Sequence, residues 1–219
     1  MNNKKNFKKI LLNNHKGVAK NLEHLFLNAR NINLNYIKKN EVLKTHKSKY
    51  WHFNSSSHLN YSSLFSSGGE IVINTLIKNG YECINLLCAS GPKFCQSGVS
   101  IKNFNSFMPC LACYSFNKKG GGNYIEFKNN NLKTDKKAEI KNLEEIIQPS
   151  LNWILRGDVQ SPLANDLKNK MIKASNKWFE FLLSIDKNHL PENIILFNGV
   201  SFPECIIKYF MEKNNVNVI

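Results

Sequence analysis

Residues 67–88 decide the fold, and they read SGGEIVINTLIKNGYECINLLC. The first half has one apolar helical face, formed by Val72, Ile73, Leu76 and Ile77. Ser67 with Glu70 three residues later is a capping-box pattern, and Gly80 is a typical residue after a helix end. Residues 82–88 are a short apolar run that predicts a strand. The stretch therefore predicts a helix followed by a strand.

Segments on either side extend this alternation. Residues 50–53 predict a strand before the helix, and residues 193–197 predict a strand apolar enough for a sheet covered on both faces. Ser201 and Glu204 form a second capping box, whose helix leads to a last strand beginning at residues 216–219. Between the two units, an edge strand and two helices are predicted over residues 124–127, 136–153 and 164–186. We therefore expect an α/β domain with a Rossmann-like parallel sheet flanked by helices.

The composition changes at about residue 48. Residues 1–48 are rich in Lys and Asn and predict one amphipathic helix over residues 16–30. This arm either packs on the domain or lies on an anionic membrane surface. Residues 49–219 are expected to form the Rossmann-like domain with a Cys-rich loop. Because the last predicted strand is unfinished, we expect the chain to be a fragment of a longer protein.

The chain of 219 residues carries 30 Lys and Arg against 16 Asp and Glu, a net charge of +14. A basic balance suits nucleic acid or anionic lipid. Arg, the residue best suited to bidentate phosphate contacts, occurs only at positions 30 and 156, and abundant Lys and Asn are also what AT-rich coding produces. Nucleic acid is thus the less favoured partner. No run spans a bilayer and no signal peptide is evident, so we expect a cytoplasmic protein, peripheral at the inner membrane face.

Four of the six cysteines are spaced Cys88-x6-Cys95-x14-Cys110-x2-Cys113. Four thiolates with a Cys-x-x-Cys pair predict zinc or an iron–sulfur cluster. The alternative is a group of buried free thiols. A thioredoxin-like redox pair is less favoured, because such a pair opens a helix and Pro109 is expected to place Cys110 in a loop.

The carboxyl edge of the predicted sheet is where ligands of parallel α/β folds bind. His58 lies in the loop after the first strand and could act as a general base. A helix start at residues 67–70 would offer free backbone N–H groups to a phosphate or sugar hydroxyl. The candidate substrate-binding residues from both strand ends are Ser66, Ser67, Gly68, Gly69, Asn198 and Gly199. A G-x-G-x-x-G dinucleotide fingerprint is absent.

Four stretches in this order carry a family resemblance: residues 66–88, the series Pro109-Cys110-Leu111-Ala112-Cys113, the long helix after Arg156, and residues 194–199 with the helix and strand that follow. Over residues 49–219 the chain resembles the N-terminal domain of bacterial GT-B-type glycosyltransferases, of the sort found with capsule and surface-polysaccharide genes.

This resemblance implies two Rossmann-like domains with the active site between them. The N-terminal domain would bind a glycan or lipid-linked acceptor, and the C-terminal domain the nucleotide-sugar donor. We expect the donor domain to be missing here, so that this fragment alone is inactive. The alternative from the residues is a zinc-dependent nucleic-acid-binding module, with salt-sensitive binding and Lys gathered on one face.

Overall fold

A computed structural model describes residues 48–55, 64–92, 94–99, 108–119, 123–128, 140–158, 160 and 162–219. The strands are β1 (Lys49–His52), β2 (Glu82–Cys88), β3 (Asn123–Phe127), β4 (Asn193–Ile195) and β5 (Asn217–Val218). The helices are α1 (Leu64–Lys78), α2 (Cys110–Lys119), α3 (Leu143–Leu155), α4 (Pro162–Leu183) and α5 (Glu204–Lys213). The predicted helix over residues 16–30 lies outside the described residues.

The five strands form one parallel sheet in the order β3-β2-β1-β4-β5. The expected Rossmann-like α/β fold is confirmed. From β1 the chain moves outward to β2 and β3, then crosses back to place β4 on the other side of β1. The strand order therefore reverses between β1 and β4, and a crevice forms at their carboxyl ends.

The two faces of the sheet are covered by different helices. Trp51 belongs to the main hydrophobic core, together with residues of α3, α4 and α5. The next residue, His52, points to the opposite face, where it contacts Gly69 of α1. Successive side chains of a strand alternate between faces, so this contact is what the pleat requires. Among the described residues no helix is both long and apolar enough to cross a membrane.

The start of α1 differs from the prediction. The helix begins at Leu64, so Ser67 and Glu70 lie inside it and do not form a capping box. The side-chain amide of Asn54 donates to the backbone carbonyl of Ser66 at 3.1 Å, which ties the first turn of α1 to the end of β1. This long-range contact cannot be seen in a local pattern.

Candidate functional site

A pocket opens at the carboxyl edge of the sheet, beyond the ends of β1 and β2. It encloses about 710 Å³ including its open mouth. We call it the edge pocket, bounded by Asn54, Cys88, Cys113, Asn117 and Phe202. Its walls come from the loops after β1 and β2 and from α2, α4 and the start of α5. This is the place where open parallel sheets bind ligands.

The part of the edge-pocket lining that the structure describes is uncharged. None of the described residues that line it is Lys, Arg, His, Asp or Glu. Its polar groups are amides and hydroxyls, supplied by Asn54, Ser55, Ser90, Ser97, Tyr114 and Asn117. Its apolar floor is formed by four rings that are buried in the main hydrophobic core: Phe53, Phe94, Trp178 and Phe202. The pocket is therefore suited to a neutral ligand with both apolar faces and hydrogen-bonding groups.

The four cysteines of the predicted metal site all line the edge pocket: Cys88, Cys95, Cys110 and Cys113. Within the part of the chain that the structure describes, however, no group of three or more His, Cys, Asp or Glu side chains could hold a metal ion. All six cysteines are free thiols. The prediction of zinc or an iron–sulfur cluster is thus wrong. A zinc site needs its sulfurs to converge at about 2.3 Å from one point, and sharing a pocket wall does not achieve this.

Burial keeps three of the six cysteine thiols neutral. It raises the pKa of Cys88 well above the usual value, and the nearby thiols of Cys95, Cys110 and Cys113 raise it further. Burial also raises the pKa of Cys83 to about 11, with a smaller contribution from Glu82. It raises the pKa of Cys205 to about 12. Since the thiolate is the nucleophile, these three sulfurs are unreactive near neutral pH.

Glu204 lies where the strand order reverses between β1 and β4, a position that we call the switch point. Its side chain is fully buried at the first residue of α5. One carboxylate oxygen accepts the backbone N–H groups of Asn198 and Gly199, each at 3.0 Å, and the other accepts the hydroxyl of Ser55 in a short hydrogen bond. The carboxylate therefore joins the loop after β1 to the loop after β4. The second predicted capping box is wrong, because Glu204 bonds to these groups instead of to Ser201.

This arrangement changes what Asn198 and Gly199 can offer a substrate. A loop before a helix N-terminus commonly presents its N–H groups to a phosphate. Here both N–H groups are engaged by Glu204, which would also repel an anion. Sequence reasoning missed this role, because Glu204 three residues after Ser201 matches a helix cap and the partner Ser55 is far away in the chain.

The other predicted substrate-binding residues lie in α1. Ser66, Ser67, Gly68 and Gly69 are in the first two turns of α1. The N–H groups of Gly68 and Gly69 fall within the helical ladder, so they are not free for a ligand. A Cβ on Gly69 would lie 2.8 Å from His52 Nε2, so this glycine permits close packing. His58 lies outside the described residues.

The carboxyl ends of β1 and β4 lie side by side at one edge of the sheet. The backbone N–H of Phe53 donates to the carbonyl of Ile195 at 3.1 Å, which continues the β1–β4 pairing. The ring of Phe65, in the first turn of α1, lies 4.3 Å from that of Phe197 between centroids. The first turn of α1 therefore contacts the loop after β4, while a common binding groove at residues 66–69 and 198–199 stays a prediction.

A buried polar pair lies under α1. His52 Nδ1 is 3.1 Å from Asn85 Oδ1 across neighbouring strands. Burial lowers the pKa of His52 below 6.5, outweighing the opposite effect of the hydrogen bond to Asn85. The imidazole is thus neutral at physiological pH.

Comparison of the chain with protein-family models, with curated proteins and with solved structures found no match.

Proposed function

We propose that this chain is the acceptor-binding half of a nucleotide-sugar-dependent glycosyltransferase of surface-polysaccharide biosynthesis, with a glycan or lipid-linked acceptor in the edge pocket. The observation that carries the proposal is a pocket at the carboxyl edge of a Rossmann-like sheet whose described lining residues are all uncharged. Such an edge is where α/β folds bind ligands, and a neutral lining selects a neutral ligand.

A sugar acceptor matches the lining group by group. The amides of Asn54 and Asn117 can exchange hydrogen bonds with sugar hydroxyls, and the hydroxyl oxygen of Ser55, whose proton bonds to Glu204, can accept one. The buried aromatic rings beneath the pocket give it an apolar floor, against which the apolar face of a sugar ring or a lipid chain can pack. Both types of contact are needed for a ligand that is polar at its edge and apolar on its face.

A nucleotide diphosphate fits the pocket poorly. Its pyrophosphate needs cationic side chains or free backbone N–H groups. No described lining residue is cationic, and the N–H groups of Asn198 and Gly199 already bond to Glu204. The proposal therefore assigns the nucleotide sugar to another domain. The zinc-dependent nucleic-acid-binding alternative is not retained, because the described residues form no metal-binding group of three or more ligands. None of the described lining residues is a cation that could contact a phosphate.

The test is a binding survey on the full chain by saturation-transfer NMR. The probes are methyl and octyl glycosides of common hexoses and N-acetylhexosamines, with uridine and guanosine diphosphate as charged comparators. We expect at least one glycoside to bind and both nucleotides to fail. Nucleotide binding in competition with glycosides, or no glycoside binding at millimolar concentration, contradicts the proposal.

Two matched variants locate the binding. Asn117 and Asn79 each donate a side-chain hydrogen bond to the carbonyl four residues earlier, at 3.0 and 2.8 Å. Only Asn117 lines the edge pocket. Asn117→Ala is expected to weaken glycoside binding several-fold, and Asn79→Ala to leave it unchanged. Equal effects of the two substitutions would place the ligand elsewhere.

A further inference from the structure

The first turn of α2 holds a Cys-x-x-Cys pair. Cys110 is the first residue of this ten-residue helix, and Cys113 lies one turn further on. The backbone N–H of Cys113 donates to the carbonyl of Pro109 at 3.1 Å, which continues the helical hydrogen bonding backward. The expectation that Pro109 would leave Cys110 in a loop is wrong. The pair therefore begins a helix that follows a strand, which is the placement of a thioredoxin-like redox pair.

The geometry of the pair permits a disulfide. Residues three apart on a helix have Cβ atoms about 5–6 Å apart, and a disulfide needs about 3.5–4.5 Å. Slight tightening of the first turn brings the two Cβ atoms closer, and rotation about the Cα–Cβ bonds then brings the two sulfurs into bonding distance. Both Cys110 and Cys113 line the edge pocket, so the two sulfurs are on the same side of α2.

The surroundings of Cys110 and Cys113 differ from those of the buried cysteines. Cys110 is partly exposed at the first residue of α2 and lines the edge pocket, so a molecule in the pocket can reach its thiol. Cys83 and Cys205 are buried. Cys88 is held neutral by its surroundings. Cys110 is therefore the residue suited to attack, and Cys113 is placed to resolve the product.

We propose that Cys110 and Cys113 are a reversible dithiol–disulfide pair that reacts with small neutral disulfides entering the edge pocket. The Cys110 thiolate attacks one sulfur of the disulfide, which releases one thiol and leaves a mixed disulfide on Cys110. The Cys113 thiolate then attacks Cys110 Sγ, which releases the second thiol. The chain loses two hydrogens and the small disulfide gains them, so the exchange balances without another reactant.

This redox site goes beyond the acceptor-binding role and is independent of it. Thiol exchange can be measured with no sugar present, so failure of one proposal leaves the other standing. The two share a pocket wall, because Cys113 and Asn117 are one turn apart on α2 and both line it.

The test uses the full chain and bis(2-hydroxyethyl) disulfide, followed by acid quench, alkylation with N-ethylmaleimide and peptide mass mapping. We expect the peptide with Cys110 and Cys113 to be two hydrogens lighter and unalkylated until dithiothreitol is added. A disulfide joining any other pair, or no disulfide, overturns the proposal. On the reduced wild-type chain, iodoacetamide should modify Cys110 more than about tenfold faster than Cys83 or Cys205; equal rates overturn it.

Single substitutions identify the order of attack. Cys113→Ser should trap the hydroxyethylthiol adduct on Cys110, and Cys110→Ser should abolish rapid exchange. Cys83→Ala is the control, since Cys83 is a buried thiol on β2 that does not line the edge pocket. It should keep the exchange rate within about twofold of wild type. Loss of the Cys110–Cys113 disulfide in Cys83→Ala contradicts the assignment.

Discussion

At the scale of single residues, Glu204 connects two loops that meet only in the folded chain. Its buried carboxylate accepts three hydrogen bonds, from Asn198, Gly199 and Ser55. Hydrogen bonds to a charged group contribute more than neutral ones, and a buried donor left without an acceptor is costly. Glu204 therefore stabilises the switch point and also closes it to anions.

Removal of this carboxylate should be strongly destabilising. Glu204→Ala leaves three donors without their acceptor and is expected to lower the free energy of unfolding by about 2–4 kcal/mol. Glu204→Gln keeps one acceptor oxygen and should cost about 1 kcal/mol. Urea denaturation measures both. Glu212→Ala, on an exposed face of the same helix, is the control and should change stability by less than about 0.5 kcal/mol.

His52 makes stability depend on pH. Its pKa in the folded chain lies below 6.5, so below pH 6.5 the unfolded chain binds a proton that the folded chain does not. The free energy of unfolding should therefore fall as the pH drops from 6.5, by at most about 1.4 kcal/mol per pH unit from this group. Urea denaturation between pH 7 and 5 measures the slope.

One substitution isolates this effect from the carboxylates that titrate in the same range. His52→Gln should flatten the dependence on pH relative to wild type. Identical slopes for wild type and His52→Gln would contradict the buried neutral imidazole.

At the scale of elements, α1 approaches β1 closely through one glycine. A Cβ on Gly69 would lie 2.8 Å from His52 Nε2 and 3.2 Å from Asn54 Nδ2. A Cβ on the neighbouring Gly68 would have no atom within 4 Å. Gly69 is therefore needed for the close packing of α1 on β1, whereas no neighbouring atom requires a glycine at position 68.

Alanine substitutions at Gly69 and Gly68 should change the free energy of unfolding in opposite directions. Gly69→Ala is expected to lower the free energy of unfolding by about 1–3 kcal/mol, since buried side chains must move. Gly68→Ala should raise it by about 0.5–1 kcal/mol through higher helix propensity. Thermal denaturation compares the two directly. Stabilisation by both substitutions would mean that α1 lies farther from β1.

At the scale of the whole molecule, Trp178 joins the sheet to its covering helices. Its ring, fully buried on α4, meets Phe53 at the end of β1 and Phe127 on β3, with centroids 5.5 and 4.7 Å away. It also packs against Phe181 on its own helix. The same indole lines the edge pocket, so the core and the candidate site share a wall.

Loss of this ring should weaken the whole domain. Trp178→Ala is expected to lower the free energy of unfolding by about 3–5 kcal/mol, because it removes buried apolar surface and leaves a cavity. Trp153→Ala is the matched control, since that indole is 70% exposed, and it should cost less than about 0.5 kcal/mol. Similar losses for both would contradict this central packing.

Much of the fold followed from local patterns. The run over residues 82–88 was predicted as a strand and is β2 with the same bounds. The parallel sheet followed from the alternation of strands and helices. Helix starts were less predictable: α1 begins three residues before Ser67, and α2 was not expected, because Pro109 predicted a loop at Cys110. Short polar stretches carry little periodicity, so their conformation depends on neighbouring elements.

The amino-acid sequence by itself determined the α/β class and the segments that build the sheet, because burial on a strand or helix leaves a periodic record along the chain. Only the tertiary structure decided that Ser55 bonds to Glu204 and that four thiols line a pocket without forming a metal site. Contacts between distant segments depend on distances and directions that packing sets, and no local pattern encodes them.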